Sequence, residues 1–323
     1  MELIRGQHNL RSRHHGCVAT IGNFDGVHLG HQAILRQLAE KAEVLALPTL
    51  VITFEPQPQE FFAPHTAPAR LMRLREKLLA LQTYGVMRVL CLEFDHRLAA
   101  LPAWTFIQEL LVAKLGIRYL VVGDDFRFGH HRQGDFELLR QAGQEYGFPV
   151  ANTHSHSYNG QRVSSTRIRE ALARGELGLA ERLLGRPYSI CGRVAHGDKR
   201  GRTLGFPTAN IHLHRRMTPL SGVYAVRLHG IGSDSTPGMA NLGRRPTVNG
   251  MREQLEVHLF DFQQDIYGCQ VQVDFLAFLR PERRFDSLDA LRNQLHQDAR
   301  QARAYFVDPA PTGALKSVYG VST

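Results

Sequence analysis

The stretch Cys17-Val18-Ala19-Thr20-Ile21-Gly22-Asn23-Phe24-Asp25-Gly26-Val27-His28-Leu29-Gly30-His31 decides the reading of the first half of the chain. Cys17 to Ile21 is a short run of apolar and β-branched residues, the pattern of a strand buried on both faces. From His31 to Glu43 the apolar residues Ile34, Leu35 and Leu38 fall on one stripe of a helix. A strand that enters a helix through a glycine-rich turn leaves the first helical N–H groups without partners, at the positive end of the helix dipole. A polyphosphate is the natural occupant of that turn. Gly22, Gly26 and Gly30 let the backbone approach it closely. His28 and His31, three apart at the helix start, can both donate hydrogen bonds to charge that builds up on it. The plainer reading is a helix start with two surface histidines.

Three similar apolar runs, Leu50 to Phe54, Arg88 to Phe94 and Arg118 to Val122, alternate with helical patterns at Arg70 to Thr83 and Pro102 to Leu115. This alternation predicts right-handed crossovers and an α/β fold with a doubly wound parallel sheet, whose ligands sit at the carboxyl ends of the strands. Two further segments fall where such a pocket needs them. Gly123-Asp124-Asp125-Phe126-Arg127-Phe128-Gly129 follows the fourth strand, and Ser164-Ser165-Thr166-Arg167-Ile168-Arg169 opens another helical pattern. By itself the second is equally a simple N-cap.

Beyond Arg186-Pro187 the character changes. Gly222 to Leu228, Leu255 to Phe262 and Cys269 to Phe278 alternate apolar and polar residues between Gly, Pro, Asn and Asp clusters, which predicts a small barrel or sandwich. An amphipathic helix is expected from Ser287 to about Tyr305, and a loosely ordered tail over 307–323. Between Gly192 and Asn210 a glycine-rich cationic loop, with Gly197, Lys199, Arg202 and Gly205, either closes over a nucleotide or is a solvated basic surface. Thr208 and Asn210, two apart on an extended segment, present oxygens to one side and suit Mg²⁺ beside a polyphosphate. Glu256, between Leu255 and Val257, faces away from the core as a solvated residue or as a base.

The chain has 323 residues, enough for about two domains. No apolar run reaches the roughly 18 residues of a membrane span, and no secretory signal opens the sequence, so a cytoplasmic location is expected. Cys17, Cys91, Cys191 and Cys269 form no C-x-x-C pair and are expected to be free thiols. The net charge of +9 invites a nucleic-acid reading. Only five of the 39 basic residues are lysine, however, and the arginines are scattered without a run.

The H-x-G-H loop followed by S-S-T-x-I-R resembles the nucleotidyltransferase superfamily, and G-N-F-D-G-V-H-L-G-H with G-D-D-F-R-F-G resembles its flavin branch. P-T-A-N, N-L-G-R-R-P-T (Asn241 to Thr247) and L-E-V-H resemble a riboflavin kinase domain. Together they resemble the bacterial bifunctional riboflavin kinase/FAD synthetases over about Arg5 to Phe306. The resemblance implies a Rossmann-like FMN adenylyltransferase domain over 1–186 and a small antiparallel β-barrel kinase domain with a terminal helix over 187–306. It implies that Gly22, Phe24, Asp25, His28, Gly30, His31, Ser165, Thr166 and Arg169 hold ATP in the first domain, with Asp125 and Arg127 in a loop lining the nucleotide and flavin sites. In the second it implies that Gly197, Lys199, Arg202, Gly205 and Thr208 bind ATP, Thr208 and Asn210 hold Mg²⁺, Glu256 is the general base, and Arg283 and Phe285 lie near the flavin. The implied partners are riboflavin, FMN and ATP, with FAD as product and neither nucleic acid nor membrane; the oligomeric state is left open. A nucleotidyltransferase acting on another phosphate ester leaves P-T-A-N and L-E-V-H unexplained, and a binding protein without catalysis leaves H-x-G-H and Glu256 unexplained.

Overall fold

The computed structural model describes residues 1–153, 155–196, 205–232, 234–247 and 250–307; for 244–247 and 250–252 it describes the backbone alone. Contacts divide the chain into two compact units, Met1–Pro68 with Leu74–Ser164, and Ala69–Arg73 with the chain from Ser165 onward.

The first unit is built on six strands, β1 (Glu2–Arg5), β2 (Val18–Ile21), β3 (Thr49–Glu55), β4 (Arg88–Glu93), β5 (Tyr119–Gly123) and β6 (Val150–Thr153). Their order is β1-β4-β3-β2-β5-β6 and every neighbouring pair is parallel. The four expected strands are all present, and β2 and β3 are buried almost throughout, as strands covered on both faces must be. The two additional strands lie at the edges. Val150–Thr153 is partly exposed at every position, so it carries no continuous apolar run. From β2 the chain winds through β3 and β4 to one side and through β5 and β6 to the other. The reversal between β2 and β5 is the topological switch point, and the two glycine-rich loops leave from these two strands.

The helices of this unit are α1 (Leu29–Leu45), α2 (Pro58–Phe62), α3 (Leu74–Thr83), α4 (His96–Ala99), α5 (Ala103–Phe106) and α6 (Phe136–Tyr146); β7 (Ser157–Tyr158) and β8 (Gln161–Arg162) form a small ribbon. Two expectations need correction. The helix expected from Arg70 starts only at Leu74. Residues 70–73 are instead held in the second unit by tertiary hydrogen bonds: Arg215 donates to the carbonyls of Arg70 and Leu71, the Tyr188 hydroxyl to Leu71, and Arg73 to Cys191. The helix expected over Pro102 to Leu115 is α-helical only to Phe106 and continues as a wider π-helical stretch, Ile107–Lys114, with Ile107, Leu110 and Leu111 buried.

The second unit is a closed barrel, which decides between the two β architectures left open by the strand pattern. Its strands are β9 (Tyr188–Ala195), β10 (Ala209–His212), β11 (Gly222–His229), β12 (Thr236–Thr247), β13 (Gly250–Leu259) and β14 (Gln270–Arg280). The order is β10-β13-β12-β11-β14-β9, closed by antiparallel pairing of β9 with β10. The strand expected to run to Phe262 ends at Leu259, because the chain turns at Asp261 with φ 54°. The first residues of the expected cationic loop, Gly192 to Ala195, belong to β9.

Helices α7 (Ser165–Ala173) and α8 (Leu177–Leu184) group with this unit by packing; a Cβ at Gly175 would lie 3.0 Å from the Phe278 ring. The terminal helix α9 (Leu288–Val307) starts after Ser287, whose hydroxyl accepts from the Ala290 N–H at 3.1 Å. Its Leu295, Ala299, Ala302 and Phe306 cover a cluster of Phe206, Ala225, Met239 and Phe260. The expected tail beyond Val307 lies outside the described residues. Among the described residues no helix is long and apolar enough to cross a membrane. All four cysteines are free, Cys17, Cys91 and Cys191 buried and Cys269 partly so.

Candidate active sites

The loop after β2 is tightly wound. Phe24, Gly26 and Val27 have φ of 49°, 87° and 41°, and a β-branched residue in that region is strained. The turn delivers His28 as the N-cap of α1: its Nδ1 accepts from the His31 backbone N–H at 3.4 Å. With Nδ1 accepting, the proton of the neutral ring is on Nε2, which makes that atom a donor. The His28 and His31 rings stack at 3.7 Å and 18°, and Phe24 lies 4.9 Å from His31. A Cβ on Gly30 would stand 3.2 Å from the His28 ring, so the glycine provides the space in which that ring lies. Phe24, Asp25 and His28 are buried, and Gly22 passes beneath the Phe24 ring. Two imidazoles and the positive end of a 17-residue helix thus meet at the switch point.

The loop after β5 is pinned by ion pairs. Asp125 accepts from Arg162 at 2.6 Å, and Asp124 accepts from the Ser155 hydroxyl at 2.6 Å. Partial burial pushes the Asp124 carboxyl up, but the Ser155 hydrogen bonds and the Arg162 charge outweigh it and hold it below the usual range. Arg127 pairs with Asp135 at 2.8 Å and is 47% exposed. Asp135 also caps α6.

Ser165 and Thr166 form the first turn of α7 in the second unit, and Arg169, on the next turn, donates to the Ala69 carbonyl at 2.6 Å.

On the barrel, Asn210 of β10 and Asn241 of β12 both stand directly opposite Glu256 of β13. Directly opposed residues share a face of the sheet. Leu255 and Val257 are fully buried on the other face. Gln254 donates to Asn210 Oδ1 at 2.6 Å and to Glu256 Oε1 at 2.9 Å, tying the expected metal donor to the expected base. Nearby, Asn241 donates to Glu282 at 3.4 Å. The Arg283 guanidinium lies 4.8 Å over the Phe285 ring and donates to Gln294. Gln294 donates to Asp298, which is fully buried and paired with Arg280 at 2.8 Å. Gly205 lies in a turn with φ 82°. Gly197, Lys199 and Arg202 lie outside the described residues.

The donors at Thr208 and Asn210 are neutral oxygens, and Asn210 Oδ1 retains a second lone pair beyond the one that Gln254 uses. Among the described residues no group of three or more His, Cys, Asp or Glu could hold a metal by itself. The set therefore fits Mg²⁺, a hard ion that takes few protein oxygens and completes its shell with phosphate and water.

A family model for FAD synthetase matches residues 10–167, and one for riboflavin kinase matches residues 184–306. The bifunctional riboflavin kinase/FMN adenylyltransferase of Escherichia coli strain K12 is 55% identical over 307 residues, 95% of this chain and 98% of its own. This chain belongs to the bifunctional riboflavin kinase/FMN adenylyltransferase family. The family member of Haemophilus influenzae is 51% identical, with 95% of this chain and 99% of that protein covered. A crystal structure described as a macrolide-efflux protein from Streptococcus pneumoniae matches with a TM-score of 0.82 at 32% identity, covering 94% of this chain and 99% of that one.

Within the FAD synthetase match fall Gly22, Phe24, Asp25, His28, Gly30, His31, Asp125, Arg127, Ser165 and Thr166, while Arg169 lies just past its end. The candidates Thr208, Asn210, Glu256, Arg283 and Phe285 fall within the riboflavin kinase match. Two features of this family member escape the sequence. Gln254 becomes visible only through the β10–β13 register. An aromatic cluster forms where β3 and β4 end: Phe94 meets Phe54, Phe61 and Phe62 at 5.8, 5.4 and 5.7 Å, and Phe62 is 68% exposed. The Phe61-Phe62 pair just after a strand was the signal for it.

Proposed function

We propose that the chain phosphorylates riboflavin to FMN with ATP in residues 187–306 and adenylylates FMN to FAD, releasing pyrophosphate, in residues 1–186. The observation that carries this reading is the presence of two separately built polar sites, His28 and His31 at the α1 N-terminus and Asn210, Gln254 and Glu256 on the barrel.

In the adenylyl transfer an FMN phosphate oxygen bonds to the α-phosphorus of ATP as the bond to the bridging oxygen breaks, and charge moves onto the departing pyrophosphate. The His28 Nε2–H, His31 and the first N–H groups of α1 stabilise that charge. Gly22, Phe24, Asp25 and Gly30 shape the loop around the nucleotide, and Ser165, Thr166 and Arg169 contribute hydroxyls and a guanidinium to the phosphates. Asp125 and Arg127 line the flavin nucleotide. Phe62, the exposed ring of its edge-on cluster with Phe61 and Phe94, offers one face on which a planar isoalloxazine ring can stack. No covalent enzyme intermediate is required, because the FMN phosphate is itself the nucleophile.

In the kinase reaction the 5'-hydroxyl of riboflavin gives its proton to Glu256 as its oxygen bonds to the γ-phosphorus and ADP departs. Gln254 holds Glu256 in orientation, and Thr208 and Asn210 would hold Mg²⁺, which neutralises phosphate charge. Gly197, Lys199, Arg202 and Gly205 belong to the segment that meets ATP, and Arg283 with Phe285 meets the flavin. The excess positive charge then serves anionic substrates through Arg127, Arg169, Lys199 and Arg202, and a cytoplasmic location fits an enzyme that consumes ATP twice.

Incubation of the purified chain with riboflavin, MgCl₂ and ATP labelled at the γ- or α-phosphorus, followed by chromatography, tests this. Label from the γ-position is expected in both FMN and FAD, and label from the α-position in FAD alone. Absence of either product overturns the bifunctional reading for this chain.

A further inference from the structure

We propose that His258 is a positioning residue for the kinase reaction, its ring N–H holding the Pro207 carbonyl and thereby setting Thr208 beside Asn210 and Glu256. The proposal rests on the kinase reading above and adds a residue to it. Gln254, Glu256 and His258 alternate along β13, so they project from one face. His258 Nδ1 lies 2.9 Å from the Pro207 oxygen. A carbonyl only accepts, so Nδ1 carries the proton and the lone pair of the neutral ring is on Nε2.

The mechanical argument follows the backbone. Pairing of β10 with β13 begins at Ala209, opposite Val257, and holds Asn210 opposite Glu256. Thr208 lies one residue outside that pairing. On its other side, Gly205 turns the chain at φ 82°, and residues 206–208 between that turn and β10 belong to no strand. The Pro207 carbonyl and the Thr208 nitrogen belong to one planar peptide unit, so fixing the oxygen fixes the plane from which Thr208 projects. The ring itself is braced at its edges by Phe206 at 5.1 Å and Phe260 at 5.8 Å, and Phe206 is buried. His258 therefore links the strand of the base to the end of the metal-donor segment that the sheet does not hold.

The test uses the full chain and two variants. His258→Asn places an amide N–H close to the position of Nδ1, whereas His258→Leu fills the volume without a donor. Affinity for MgADP is measured by calorimetry without turnover, the ring tautomer by ¹⁵N NMR, and kinase rate as a function of Mg²⁺, with FMN adenylylation as the control on the rest of the chain. His258→Leu is expected to weaken MgADP binding and raise the half-saturating Mg²⁺ by about tenfold, the scale of outer ligand-orienting groups. His258→Asn is expected to recover most of both, and adenylylation to stay unchanged. The proposal is overturned by unaltered MgADP affinity in His258→Leu, by equal losses in both folded variants, or by an Nε2–H tautomer in the unmodified protein. If His258→Leu does not fold, His258→Asn and the tautomer decide on the same terms. Loss of kinase activity in Glu256→Ala and Thr208→Ala alongside a normal His258→Leu would reject the positioning role alone; normal activity in the first two would reject the kinase assignment beneath it.

Discussion

Asn210 and Glu256 stand directly opposite one another on an antiparallel strand pair, and the Gln254 amide bridges them with hydrogen bonds of 2.6 and 2.9 Å. The proposed base and the proposed metal donor, built into one sheet, keep their separation without relying on loop order, which is what positioning catalysis requires.

Glu256→Gln retains a side chain of the same size but cannot accept the proton of the ribityl hydroxyl. FMN formation from riboflavin is expected to fall by about 10²–10⁴, the usual range for a lost general base. FAD formation from supplied FMN should be unchanged. Assaying the two reactions separately checks this, and loss of both would contradict two independent sites.

His28 separates a structural role from a chemical one. His28→Asn keeps an N-cap acceptor but removes the Nε2–H, whereas His28→Ala removes both. Both variants are expected to lose FAD synthesis by about 10²–10³. Only His28→Ala should also lose stability, by about 1 kcal/mol. Thermal unfolding alongside the FAD assay distinguishes them, and FMN formation should survive in each.

What the sequence made legible follows from how local the cause was. The strands Val18–Ile21 and Thr49–Glu55 are covered on both faces, so their apolar runs are continuous. Edge strands Glu2–Arg5 and Val150–Thr153 need no such run and left no trace. Residues 70–73 fit a helical pattern, yet Tyr188 and Arg215, more than 100 residues away, claim the carbonyls of Leu71 and Arg70. His28 and His31 were readable because their spacing is local. Gln254 was not, since a glutamine on an outward strand face has no meaning until Asn210 is brought across from β10.

Cys17 offers a test of the first unit's core. Burial pushes its thiol up to about 12, so its thiolate is negligible at pH 8. Iodoacetamide on the folded protein should label Cys269, which is partly exposed, and spare Cys17 until denaturant is added. Peptide mass spectrometry reads the order; early labelling of Cys17 would contradict its packing.

Asp135 caps α6 by accepting from the Leu138 N–H at 3.0 Å, and that bond, with Arg127 beside it, holds the carboxyl below its usual range. A carboxyl lowered on folding contributes stability that is present above its unfolded pKa and lost as pH falls through the folded value. Asp135→Asn should keep most of the cap and flatten this acid dependence, whereas Asp135→Ala should cost about 1 kcal/mol at neutral pH. Unfolding midpoints from pH 7 down to about 3 measure both, the lower limit bracketing ordinary carboxyl titration.

The Arg280–Asp298 pair joins β14 to α9, with Asp298 fully buried and accepting from both Arg280 and Gln294. Removing one partner strands the other charge in a largely desolvated place, so Asp298→Leu is expected to destabilise the barrel by about 3–5 kcal/mol. Replacing both, as Arg280→Met with Asp298→Leu, removes the stranded charge along with the attraction and should recover most of that loss. Gln294 also accepts from Arg283, so both variants release Arg283 from its support beside Phe285. The double variant should therefore be stable yet show a raised KM for riboflavin, with FAD synthesis from FMN unaffected. Urea unfolding of the barrel and riboflavin saturation curves on the same preparations measure the two effects, and a stable double variant with an unchanged KM would show that Arg283 does not meet the flavin.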